Sequence, residues 1–180
     1  MKKIFVLFLL LFCFISSQVF SQTAREVTHS KMLEKLASLT GNWKGYLEYL
    51  DYSDGKTKVQ LPTELNAVYN KSGSDKYLSV KLIYDEGKGR SVTGEDAWTI
   101  LDDETFFYDS TDCRILNFDA AEDKTVFKFE RSGEDNDKPC IMLFTFTIES
   151  DKFSILKQVL KENDTNYFVR HKYVFERIVK

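Results

Sequence analysis

Histidine is nearly missing from this chain: His29 and His171 are the only two in 180 residues. No H-E-x-x-H or C-x-x-C spacing accompanies them, so neither a metal site nor a dithiol redox site is written in the sequence. Glu134-Asp135-Asn136-Asp137 has the composition of a calcium loop but lacks the EF-hand spacing and its bidentate Glu. Gly87-Lys88-Gly89-Arg90-Ser91 lacks the longer Gly-rich stretch that precedes the Lys of a phosphate-binding loop. Glu95 and Asp96 are adjacent in an extended run, so they point to opposite faces and cannot share a substrate bond. A basic excess is missing too. Lys and Arg number 25 against 28 Asp and Glu, interspersed, which leaves no cationic stripe for a nucleic-acid backbone. Beyond Ile15 no apolar run approaches the ~20 residues of a membrane-crossing helix. The sequence therefore points away from nucleic acid, from a stable membrane span, and from catalytic, metal or cofactor chemistry.

What is present begins with a secretory signal. Lys2 and Lys3 precede an apolar run from Ile4 to Ile15, and Ser16-Ser17-Gln18 turns polar before Val19-Phe20-Ser21. Residues 1–21 are expected to be removed, and the protein to be exported to the periplasm or the extracellular space. Lys2 and Lys3 are the only charges in that segment, so its loss moves the net charge from −3 to −5. A lipid anchor on Cys13 is the competing reading. Leu10 stands three residues before that Cys, but Phe12 occupies the position that requires a small residue.

Residues 22–40 read as a leader and one amphipathic helix. Met32, Leu33, Leu36 and Leu39 recur at helical spacing, and Gly41 stops the run. Residues 41–180 then alternate with period two. The spacing predicts strands over Asn42–Tyr52, Lys58–Asn70, Lys76–Asp85, Arg90–Leu101, Thr105–Ser110, Cys113–Asp119, Lys124–Arg131, Cys140–Glu149, Lys152–Lys161 and Asn166–Val179. Short turns such as Asp54-Gly55, Gly73-Ser74 and Ala120–Asp123 join them. The break at Thr111-Asp112 leaves open whether its two flanking strands are one kinked strand. About ten strands (eight to ten) without a long crossover make an up-and-down antiparallel meander. Closing it removes the edges, so the expectation is an all-β barrel with one short capping helix.

A short helix, Gly41-Asn42-Trp43 at the mouth of the first strand, and a strand meander together resemble the lipocalin-like (calycin) superfamily. The strand count is closer to its ten-stranded fatty-acid-binding branch. The architectural likeness covers nearly all of residues 41–180, and the motif only Gly41, Trp43 and one Arg. The resemblance implies that Trp43 lies across a closed base, under the helix, with a basic side chain from the chain's end packed on it. Parity allows this. In the last strand Tyr167, Val169, His171, Tyr173, Phe175 and Arg177 share one face, the more aromatic and hence inward one. Arg177 falls on that face at the base end. Trp43 as an ordinary core residue is the alternative. The resemblance also marks a departure. Fatty-acid-binding proteins hold a carboxylate with Arg-x-Tyr on the final strand, and Tyr173 and Phe175 stand at those positions here.

Two cysteines remain in residues 22–180, Cys113 and Cys140. One whole strand separates their strands, a spacing of roughly 9–10 Å against the ~7 Å limit for bridged Cα atoms. They are expected to be free. The interior candidates are His171, Tyr173, Phe175, Tyr49, Leu47, Phe127, Phe129 and Phe144, with Met142 and Phe146 beside them. A ten-stranded barrel is wider than side chains of ordinary size fill, so it holds ligand, water or bulky aromatics. The chain is therefore expected to be a non-enzymatic carrier of a small, mainly apolar molecule, with His171 and Tyr173 as polar contacts. The alternative is an interaction module with a filled barrel that meets a protein or envelope partner through surface or mouth loops.

Overall fold

The computed structural model describes residues 26–51, 53–73 and 75–179. The expected signal peptide, Cys13 and the start of the leader lie outside the described residues. A helix α1 over 26–37 is followed by ten strands: β1 Gly41–Leu50, β2 Lys58–Ser72, β3 Asp75–Gly87, β4 Arg90–Ile100, β5 Thr105–Tyr108, β6 Thr111–Ala120, β7 Thr125–Glu134, β8 Pro139–Ile148, β9 Lys152–Lys161 and β10 Phe168–Arg177. Every strand pairs antiparallel with its chain neighbours, and β1 pairs with β10 to close the barrel.

The period-two pattern explains the wall. Along β8, Met142, Phe144, Phe146 and Ile148 are buried while Leu143, Thr145 and Thr147 are only partly covered. The same alternation in β7 and β9 delivers Phe127, Phe129, Phe153 and Ile155 inward. Ten strands enclose more space than aliphatic side chains fill, and aromatic rings fill it. Phe106 meets Phe129 at 4.7 Å between centroids, Trp98 meets Phe146 at 5.2 Å, and Phe146 meets Phe153 at 5.3 Å. The lower barrel is a solid aromatic core.

The base is shut by α1 and the last residue of β10. Met32, Leu33, Leu36 and Leu39 are buried there. Trp43 is fully buried, and its indole N–H donates to the Leu39 carbonyl at 2.8 Å. Arg177 pairs with Trp43 in register, and its guanidinium lies 4.0 Å from the ring centroid. The same guanidinium donates to the carbonyls of Ser38, Thr40 and Ser150 at 2.7, 2.8 and 3.1 Å. It thus satisfies carbonyls left open just past the helix C-terminus, where a cation is favoured. Gly41 has φ +133°, and a Cβ there would come within 3.0 Å of the Arg177 guanidinium. That explains the Gly of the Gly41-Asn42-Trp43 stretch twice over.

Three local features have physical causes. β5 and β6 are separate strands, as drawn from the sequence, and the turn between them falls at Asp109 and Ser110, which both take positive φ (52° and 56°). β7 continues through Ser132 to Glu134, since Asn136 and Asp137 supply the positive-φ pair that turns into β8. In β10 a register shift between Val169 and His171 marks a bulge at Arg170. Val169, expected inward, is 48% exposed, and Arg170, expected outward, is buried at 4%. One extra residue reverses the facing of everything before it.

Candidate functional site at the barrel mouth

The open end carries the turns that follow β1, β3, β5, β7 and β9. The wall is weakest between β4 and β5, which share only the pairs Thr99↔Phe107 and Ile100↔Phe106. Toward the mouth a side chain closes that seam in place of backbone pairing. Asp96 Oδ2 accepts from the Asp109 N–H and from the Trp98 indole N–H, both at 2.7 Å. Arg131, inward on β7, reaches across to the Tyr108 and Asp109 carbonyls and pairs with the Asp109 carboxylate. Behind the seam lies a cavity of about 200 Å³, lined by Leu82, Tyr84, Asp96, Trp98, Tyr108, Asp109, Phe144, Lys157, His171 and Tyr173 together with Gly94 and Glu95.

The polar groups of this pocket are held by few partners. The Tyr84 and Tyr173 hydroxyls bond each other at 3.0 Å. His171 stands edge-on to Tyr173 with ring centroids 5.4 Å apart. Burial, then the charges of Lys157 and Arg170, push the His171 pKa down to about 3, so the imidazole is neutral near pH 7. Burial and the neighbouring Arg131 hold the Lys157 ammonium below the usual lysine range. Burial raises the Tyr84, Tyr108 and Tyr173 phenols, which stay protonated. Above the pocket, Arg170 crosses the mouth. Its Nε lies 3.0 Å from Asp135 Oδ1, both side chains 4% exposed, and its Nη1 donates to the Leu50 carbonyl at 3.1 Å. The arginine ties the end of β1 to the β7–β8 turn.

Of the eight interior residues expected to meet a ligand, Phe144, His171 and Tyr173 line this cavity. Phe127, Phe129 and Phe175 are buried in the aromatic core: Phe127 and Phe175 lie one inward position closer to the base than Phe129 and Tyr173, and Phe129, the register partner of Phe144, is covered by Phe106, Tyr108 and Phe144. Leu47 packs against that core and Tyr49 is half-buried on β1, and neither lines the pocket. Lys157, Tyr84, Trp98, Tyr108 and Asp96 are the additions. Lys157 had a legible signal: Phe153, Ile155, Lys157 and Val159 share one face of β9, so a lysine stands in an inward register. A larger groove of about 520 Å³ runs outside the barrel, between α1 and the base ends of β3, β4 and β5, past Leu33, Tyr77 and Phe107. It gathers no comparable set of charged groups. Cys113 and Cys140 are both buried and free. Among the described residues no cluster of His, Cys, Asp and Glu is arranged to hold a metal ion, and no helix is long and apolar enough to cross a membrane.

No protein-family model and no curated protein matches this chain. Solved structures do. The chain is similar to Rv2717c from M. tuberculosis, with a TM-score of 0.56 at 12% identity, over 82% of this chain and 97% of that one. The likeness is one of fold. A protein of unknown function from the DUF3598 family of Nostoc punctiforme PCC 73102 is more distant, with a TM-score of 0.36 at 15% identity, over 79% of this chain and 49% of that one.

Proposed function

We propose that the protein is an exported, non-catalytic member of the lipocalin-like barrels that holds a small molecule in the mouth pocket. One observation carries the reading: the barrel is solid below, and a polar, solvent-reaching layer inside the wall gathers Lys157, His171, Tyr84 and Tyr173 around aromatic surfaces. Kinship with lipocalin-like barrels is supported by Arg177 over Trp43 beneath a capping helix. Export is supported by the character of residues 1–21. A cavity of about 200 Å³ lies below the ~300–1,000 Å³ of pockets that enclose drug-sized ligands. The ligand is therefore compact, and a long-chain fatty acid does not fit the filled interior.

The filled core also favours a second reading, an interaction module that uses its mouth turns or outer wall. Denaturing extraction and mass spectrometry of protein purified from its own host separates the two. A stoichiometric small molecule, lost on Tyr173→Phe together with Lys157→Met, supports the carrier. No co-purified molecule, and no thermal shift from a library of compact ligands, supports the module.

A further inference from the structure

We infer that the mouth pocket takes a small organic monoanion, a compact aromatic carboxylate, with Lys157 as its counter-charge. This rests on the carrier reading and names the ligand class.

The argument starts from a charge count. Four cations take inward register at this end: Arg131 on β7, Lys157 and Lys161 on β9, and Arg170 at the β10 bulge; Lys161 lies 5.0 Å from the Phe168 ring centroid and does not line the pocket. Arg131 is paired with Asp109, and Arg170 with Asp135. Lys157 has no carboxylate within 4.0 Å among the described residues. Its cross-strand neighbours are Phe144 and His171, and its ammonium lies 5.9 Å from the Phe144 ring centroid. The remaining acidic groups of the lining are engaged. Asp96 accepts three N–H groups, from Trp98, Asp109 and Ala97, and Glu95 pairs with Lys81. Lys157 is therefore the lining cation without an ion-pair partner in contact, while the oxygens of the lining carboxylate Asp96 are already taken by N–H donors.

The hydrogen-bond inventory agrees. The Tyr84–Tyr173 pair uses one hydroxyl proton internally and leaves the other free to donate. Neutral His171 brings one donor and one acceptor, whereas the Lys157 ammonium brings three donors and no acceptor. The partner that Lys157 lacks is therefore an acceptor, and a carboxylate supplies several lone pairs in one group. Hydrogen bonds between ionised partners are roughly twice as strong as neutral ones. The walls are Leu82, Trp98 and Phe144, which suit a ring, and the volume excludes a long tail.

The test uses the chain without residues 1–21 and three probes of one shape: benzoate, benzamide and benzylamine. Binding is read by tryptophan fluorescence, since Trp98 lines the pocket, and by calorimetry. Benzoate is expected to bind at least tenfold tighter than benzamide, and benzylamine weakest. Lys157→Met should remove the benzoate preference, so that benzoate binds no tighter than benzamide, with the melting temperature as the check on folding. Lys157→Arg, which keeps the charge, should retain the preference. Equal binding of benzoate and benzamide by the native chain, or a benzoate preference that survives in Lys157→Met, overturns the charge assignment alone. If none of the three binds, the aromatic-carboxylate assignment falls, and the carrier reading falls with it only if no small molecule co-purifies with the protein.

Discussion

Replacing His171 by Leu should flatten the acid limb of the protein's stability curve. In the folded chain this imidazole is held neutral down to about pH 3, by burial first and then by Lys157 and Arg170. In the unfolded chain it titrates near its ordinary value of ~6.5. Above that value both states carry neutral imidazole and the group contributes no pH dependence. Below it the unfolded chain binds a proton that the native state refuses, so stability falls as the pH falls, by at most ~1.4 kcal/mol per pH unit. Integrated from pH 7 to pH 5, the loss is about 2 kcal/mol, an upper figure because the mouth can relax around the charge. The window isolates this residue. Glu48, Asp51 and Asp54 have carboxyls held below their usual range by hydrogen bonds from Gln60, Ser53 and Thr57. Their stabilising contributions are present above their unfolded values, 4.5 for Glu48 and 3.8 for the aspartates, and fade as the pH drops toward the lowered ones, outside the window. Urea denaturation at pH 7, 6 and 5 measures the effect, with the native chain losing stability and His171→Leu losing little. A native chain as stable at pH 5 as at pH 7, or a His171→Leu chain with an undiminished fall, would refute the buried, uncompensated imidazole.

Four further outcomes are expected. Arg177→Met removes the cation–π contact and three carbonyl partners, and should cost about 2–4 kcal/mol in urea denaturation; a cost under 1 would mean that the base closes without it. Gly45→Ala should cost about 3 kcal/mol or more, or abolish soluble expression, because the added Cβ would sit 1.8 Å from the Val174 carbonyl oxygen; near-native stability would contradict the close approach of β1 and β10. Asp135→Asn should cost about 3–5 kcal/mol by leaving a buried guanidinium without its carboxylate, and adding Arg170→Met should recover a large part. Under denaturing, non-reducing conditions, the chain without residues 1–21 should titrate two thiols, Cys113 and Cys140, both slow to react when folded; no free thiol would show a bridge.

The strand count, their order and the helix were legible because each rests on a period that one chain segment displays by itself. Parity placed Trp43 and Arg177 on one face at one end, and the two residues are register partners. Parity failed at Arg170, since a bulge inserts one residue and leaves no mark in hydrophobicity: Phe168, Val169 and Arg170 read equally well in either phase. The depth of a residue along the barrel was the other blind spot. Facing inward is a property of one strand, but lying in the core or at the mouth depends on the stagger among ten. Hence Phe127 was expected beside a ligand and lies in the core, while Phe144, also inward, reaches the cavity. Tyr84 and Tyr108 come from strands whose partners at the pocket are far off in sequence. Only the closed sheet brings the Tyr84 and Tyr173 hydroxyls together across 89 positions.

The two ends of the barrel follow different rules. Glycine takes positive φ at both ends, at Gly41 and Gly73 at the base and at Gly55, Gly87 and Gly89 in the mouth turns. All six non-glycine residues with positive φ among the described residues, namely Lys88, Asp109, Ser110, Asn136, Asp137 and Asn163, lie in the mouth turns. Four of the six are Asn or Asp, which tolerate that region best, but each still carries strain that Gly would not. The Arg170 bulge, the Arg170–Asp135 pair and the uncompensated Lys157 lie at the same end. Side chains there do work that backbone pairing does elsewhere: Asp96 closes the β4–β5 seam, Arg131 fastens the β5–β6 turn, and Arg170 spans from β1 to the β7–β8 turn. A protein selected only to fold has no reason to concentrate strain, buried charge and unused donors in one layer while the remainder is solid aromatic packing. Departures of this kind persist where a site needs them. That asymmetry, more than the barrel itself, is what supports placing the proposed site at the mouth.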